Sequence, residues 1–98
     1  MREVVGRKDD DGKDRWDLLP WRAVEAVVKV LTFGARKYAP NNWRLVEEPQ
    51  ERYWAALQRH LSAWRQGEWL DADSQLPHLA CAACCLVFLL TLGLEAED

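Results

Sequence analysis

The stretch from Leu79 to Leu92 most limits what this chain can fold into. Its fourteen residues carry one mild polar interruption, Thr91. Pro77 fits the first turn of a helix, where no backbone N–H is needed. Gly93 fits the stop just past its end. A helix this apolar on every side must be buried all round. It is shorter than the roughly 20 residues of a bilayer span, so the expectation is a central helix covered by other helices, with no membrane partner. His78, at its start, shares a face with Cys81 and Cys85 at i, i+3 and i+7.

Two other segments are helical by period. From about Pro20 to Lys37, Ala23, Val24, Val27, Val28, Leu31 and Ala35 follow the 3.6-residue repeat, with Val30 and Phe33 widening the stripe. From near Pro49 to near Gln66, the stripe is Tyr53, Trp54, Leu57, Leu61 and Trp64, and Gly67 is the stop. Ala39-Pro40-Asn41-Asn42 between them carries turn chemistry, with Trp43 as the loop's anchor. Asp73 or Ser74 is expected to cap the third helix. No stretch alternates like a strand. The predicted class is all-α, with three principal helices forming an oligomeric helical bundle. Residues 1–14, rich in charge, are expected to be a mobile polar segment, and residues 15–98 a single helical domain.

Two covering helices cannot close around the third. Each offers an apolar stripe about 100° wide. Val87, Leu90 and Leu94 would be left facing water, and such a strip normally marks an interface. The expectation is a homodimer or a higher homo-oligomer, with Ala80, Ala82 and Ala83 permitting close approach.

Charge and cysteine usage remove several function classes. A net charge of −3 argues against a general DNA or RNA binder. The three cysteines are an odd number on one helix, which reads as reduced thiols in a cytosolic protein. Six tryptophans are many for this length; the bland expectation is that they fill a core, and indole also suits stacking on a base.

Three constellations carry candidate chemistry. Lys13, Arg15, Arg36 and Lys37, with Asn41 and Asn42, offer cations and amides for phosphate; as exposed charges they also read as ordinary solvated surface. Arg59 and His60, then Glu68, Asp71 and Asp73, then His78, place histidines and carboxylates at adjacent helix ends, where they can converge on a divalent metal. The bland alternative makes the acids caps and the histidines satisfied core groups. His78, Cys81 and Cys85 have zinc-type donors, but buried cysteines more often act as small hydrophobes. A four-carboxylate magnesium site is incomplete. The first helix offers only Glu25, and Glu48-Pro49-Gln50-Glu51 straddles a helix start.

Several landmarks together are specific. They are Lys13-Asp14-Arg15-Trp16-Asp17-Leu18-Leu19-Pro20, Leu31-Thr32-Phe33-Gly34-Ala35-Arg36-Lys37-Tyr38, Asn42-Trp43, Arg59-His60-Leu61, Gly67-Glu68 with Asp71, and His78-Leu79. Over about Lys13 to Leu92 the chain resembles the small phage-type domain that forms the N-terminal part of dATP/dGTP diphosphohydrolases, in the neighbourhood of the all-α nucleotide pyrophosphohydrolases. It departs from that pattern at Cys81, where a second His is usual, at Cys85, where Asn is usual, and at Gln75, where Gly is common. The resemblance implies a phage or prophage origin, a purine nucleotide or nucleotide-derived signal as ligand, and the cytoplasm of an infected bacterium as the place of action.

The leading expectation is a protein that binds this nucleotide and sequesters it, blunting a host defence. Lys13, Arg15, Arg36, Lys37 and Arg59 would hold phosphate, Tyr38 or Trp43 would stack on the base, and Asn42 and His60 would hydrogen-bond sugar or base. The alternative is a metal-dependent pyrophosphohydrolase. His60, Glu68, Asp71 and His78 would then be catalytic, with Mg²⁺ or Mn²⁺ at Glu68, Asp71 and His78. A purely structural or partner-binding helical protein is the third reading.

Overall fold

Prolines set the starts of the helices. Pro20 is the N-cap of α1 (Trp21–Lys37), Pro49 opens α2 (Pro49–Arg65), and Pro77 is the N-cap of α3 (His78–Glu97). At these positions a missing N–H costs the helix nothing. The computed structural model describes residues 4–98. Two 3-10 turns, Trp16–Leu18 and Asn42–Leu45, occupy the predicted lead-in and loop. Among the described residues the sole extended pairing is an isolated antiparallel bridge, Leu70 with Pro77. The chain is all-helical with three principal helices, as its periodicity predicts. Residues 4–14 are exposed and without helix, with one turn at Gly12. Residues 1–3 of the predicted mobile segment lie outside the described residues.

α3 packs chiefly against α2 and more lightly against α1. The core is small: Leu57 of α2 meets Ala82 and Cys85 of α3, closed in by Tyr53, Ala56 and Leu89. One turn further along, Phe88 stacks on Trp43 at 4.4 Å and meets Tyr53 edge-on at 5.0 Å. The Tyr53 hydroxyl donates to the Trp43 carbonyl at 3.4 Å. The loop after α1 is thereby pinned to the middle of α3.

Four expectations are corrected. Gly93 does not stop α3, which runs on to Glu97. Arg44 holds the added turn through an ion pair with Glu95 at 2.9 Å. At 20 residues, with a mean hydropathy of 2.2, α3 is long and apolar enough to cross a membrane by length and composition, unlike the fourteen-residue run. The expected burial all round also fails. The first two turns, from His78 to Cys85, are largely buried, whereas Leu86, Val87, Leu90 and Leu94 are 43–63% exposed. Two helices cover two sides and no more. Lastly, neither Asp73 nor Ser74 caps α3, because Pro77 holds that position without any side-chain cap. α1 is also rotated from its reading: Val28 and Leu31 are exposed, while Val24, Val27, Val30 and Phe33 are half-buried.

Candidate functional site

The buried start of α3 carries one polar side chain, His78, and the chain builds a polar corner around it. Gly67, at φ +99°, turns the backbone off the end of α2. The loop then folds back on itself. Asp71 N–H donates to the Leu76 carbonyl and Gln75 N–H to the Asp71 carbonyl, both at 2.8 Å, and His78 N–H donates to the Trp69 carbonyl at 2.9 Å. Gln75 takes a left-handed backbone (φ +59°), the conformation that suits the Gly common at this place in the resembling family.

Ser74 fixes Asp71. Its backbone N–H and its hydroxyl both donate to Asp71 Oδ2, at 2.8 and 2.9 Å. The same hydroxyl oxygen accepts from Leu76 N–H at 3.2 Å. One carboxylate oxygen is tied into the turn and Oδ1 is left for the corner. Sequence reasoning offered Ser74 only as a helix cap. The Asp-x-x-Ser spacing is the signal that identifies it as the group holding Asp71.

His60 comes from the last third of α2 and meets His78 Nδ1 to Nδ1 at 2.8 Å. At that distance one ring donates and the other accepts. His60, Asp71 and His78 each offer a donor atom, and the three lie within 4.8 Å of one another. Glu68 brings Oε1 to 3.6 Å from His78 Nε2. That Nε2 is buried and has no hydrogen-bond partner. A buried polar atom left in this state is costly unless something binds it.

Electrostatics separates the members of the corner. Burial pushes the pKa of His60 down, and the Asp71 charge only partly offsets this. Burial works against ionising Asp71, but the two Ser74 hydrogen bonds and the nearby histidines outweigh it and hold the carboxyl below its ordinary range. The corner therefore offers a neutral imidazole and a carboxylate. These are the protonation states in which such groups ligate metals. The donor set fits a divalent cation: two imidazoles and one carboxylate with donor atoms within 4.8 Å of one another, and one buried nitrogen without a partner.

The cysteines are different. Cys81, Cys84 and Cys85 are buried free thiols. Burial raises all three, Cys85 to about 11, so they stay protonated. Cys81 faces the Ser74 hydroxyl at 4.0 Å and Cys85 packs on Leu57. As thiols they are apolar filling, and the zinc arrangement with His78 is not formed.

Of the sequence-predicted residues, the structure brings together His60, Glu68, Asp71 and His78. Arg59 stands at the margin, beside Glu68 in an open groove of about 790 Å³ along α2. Lys37 ends α1 and reaches the same loop through Asp73, at 2.7 Å, with its ammonium 5.4 Å from the Tyr38 ring. Arg36 is exposed. Trp43 and Asn42 lie elsewhere: Trp43 is stacked on Phe88 and overlain by the Arg44 guanidinium at 4.6 Å. Phe88 is about 15 Å along α3 from His78 at the rise of an α-helix. Lys13 is exposed and Arg15 pairs with Asp17 at 2.7 Å; neither makes a polar contact with the corner.

Comparison with known proteins agrees with these landmarks. The family described as dATP/dGTP diphosphohydrolase, N-terminal, matches residues 3–98. A protein of Salmonella phage PMBT28 named dATP/dGTP diphosphohydrolase is 34% identical over 89 residues, which is 91% of this chain and 30% of that protein. The chain thus spans about 30% of the length of the curated relative it matches. No solved structure matches it.

Proposed function

The chain belongs to the dATP/dGTP diphosphohydrolase N-terminal family, and from that premise we propose that it binds a purine nucleotide at the corner between α2 and α3 and retains it. The observation that carries this reading is the convergence of His60, Asp71 and His78 within 4.8 Å, with a buried His78 nitrogen left unpartnered. These three residues would hold a divalent cation. Imidazole-rich sets favour Mn²⁺ over Mg²⁺, which prefers oxygen. A bound cation supplies positive charge for phosphate oxygens. Arg59 on the α2 side and Lys37 on the α1 side flank the loop and add cationic donors at its two margins. Ser74 orients Asp71, and the loop hydrogen bonds keep Asp71 in register with the histidines. Retention is favoured over cleavage because a single carboxylate sits within the cluster, against the four that the pyrophosphohydrolase pattern requires.

Hydrolysis is the second reading, and one observation favours it. Glu68 places a carboxylate oxygen 3.6 Å from His78 Nε2, at the mouth of the corner. An exposed carboxylate there can accept a proton from water. The name of the phage relative agrees with it. To separate the two, the protein is incubated with purine nucleoside triphosphates and Mn²⁺, then denatured, and the released nucleotide is identified. Intact triphosphate supports retention. Stoichiometric or catalytic conversion to monophosphate and pyrophosphate would replace it with hydrolysis.

A further inference from the structure

One face of the second half of α3 is uncovered among the described residues, while its other face carries Phe88 and Leu89 into contacts with Trp43, Tyr53 and the core. Leu86, Leu90 and Leu94 recur every fourth residue, and Val87 and Ala83 lie beside them on the same side. The opposite side, His78, Ala82, Cys85 and Leu89, is the one packed against α2. Leu86 is 54% exposed and Leu90 is 63% exposed. The result is a continuous apolar stripe of about two turns.

The whole chain is under-covered by the same measure. Its accessible surface is 8448 Å², against about 5,800 Å² for a folded monomer of this mass. Its radius of gyration is 18.4 Å, against about 13 Å for a compact domain of this length. The exposed residues 4–14 account for part of both differences, so the surplus of roughly 2,650 Å² is an upper limit on the uncovered surface of the helices; one partner in a standard interface buries near 800 Å².

We infer that the stripe is covered by the same stripe of a second copy, with the two α3 helices antiparallel across a two-fold axis. Self-pairing is open to this face because no Asp, Glu, Lys or Arg lies between His78 and Leu94. Like charges therefore do not meet when the surface is placed against itself. Ala83 leaves room for close approach at one end. The direction follows from the helix end. Glu95, Glu97 and Asp98 follow the stripe, so a parallel pair would press two acidic ends together, and an antiparallel pair separates them. A two-fold contact of this kind is isologous and closes. The nucleotide corner is at the other end of α3 and is not needed for the pairing.

The test is the mass of the full chain in solution by light scattering at micromolar concentration, for the wild type and for Leu90→Glu. The expected result is two copies, or an even multiple of two, for the wild type, and half that mass for Leu90→Glu at unchanged helical circular dichroism. Leu86→Glu is expected to do the same and serves if Leu90→Glu folds poorly. A wild-type mass of 11.4 kDa would overturn the pairing, as would an odd multiple or a folded Leu90→Glu protein of unchanged mass. Flotation of a monomeric chain with phosphatidylglycerol vesicles would overturn it in favour of a lipid surface.

Discussion

The two halves of α3 share a composition and meet opposite fates. The first half, from His78 to Cys85, is buried against α2 and the 67–77 loop, and its one polar residue is drawn into a network. The second half, from Leu86 to Leu94, is as apolar and stands half in water. The difference lies in what surrounds each half. A looped segment with a left-handed turn at Gly67 and a bridge at Leu70–Pro77 closes over the first half. The second half is reached on one side alone, by the aromatic cluster of Trp43, Phe88 and Tyr53 and by the core contact of Leu89. Apolarity fixes that a helix must be covered. It does not fix whether the same chain supplies the cover.

Truncation separates the halves most strongly. Leu57 is 3% exposed and packs on Ala82 and Cys85, so Leu57→Ala is expected to cost about 3 kcal/mol. Urea denaturation should give that loss at every protein concentration. Leu90→Ala should cost under ~1 kcal/mol in dilute solution, where only an exposed side chain is lost. Equal losses for the two would erase the distinction.

The first half is also set apart by its polar support. Ser74→Ala leaves the cluster donors in place but removes a hydroxyl that fixes Asp71. The expected result is a ten- to hundredfold fall in cation affinity, of the order seen when outer-shell partners of metal ligands are removed. Titration calorimetry with Mn²⁺ measures it. An unchanged affinity would show that the turn backbone alone orients the carboxylate.

Thiol ionisation reports burial in the same half. Burial raises Cys85 from 9.0 to about 11. The unfolded chain releases this proton first, so stability is full below pH 9 and falls as pH rises toward 11. Denaturation under a reductant at pH 8 and pH 10.5 should show a smaller drop for Cys85→Ala than for the wild type. Equal drops would mean the thiol is not desolvated.

The smallest expected effect concerns the loop. Gln75→Gly relieves a left-handed residue and should raise stability by roughly 0.5–1 kcal/mol without moving the corner. Thermal denaturation checks the sign. A destabilisation would point instead to the Gln75 amide, which donates to the Ala72 carbonyl at 2.9 Å, as the stronger term.

Much of this arrangement is legible in the sequence. Val24, Val27 and Leu57 carry the 3.6 period, and Pro20, Pro49 and Pro77 mark the helix starts, because these signals are local. His60, Glu68, Asp71 and His78 are recognisable as donors at adjacent helix ends, and the structure puts them in one corner. What the sequence does not carry is the non-local geometry. The stacking of Trp43 on Phe88 draws that aromatic away from the corner, and the Arg44–Glu95 pair carries α3 past Gly93. Each depends on residues more than forty positions apart in the chain. Asp71-x-x-Ser74 is a local signal for the closed turn, but just before a helix the same residues also suit a cap, and the non-local packing of the loop decides between the two.

The most direct test of the account is Mn²⁺ binding by wild type and Asp71→Asn, followed by titration of each with dATP and dGTP. The wild type is expected to take up one cation per chain and to bind a purine nucleotide only with the cation present. Asp71→Asn, folded to the same helical content, should lose both by at least tenfold. Absence of cation uptake by the wild type, or nucleotide binding that is unaffected by Asp71→Asn, would contradict the assignment of the corner between α2 and α3.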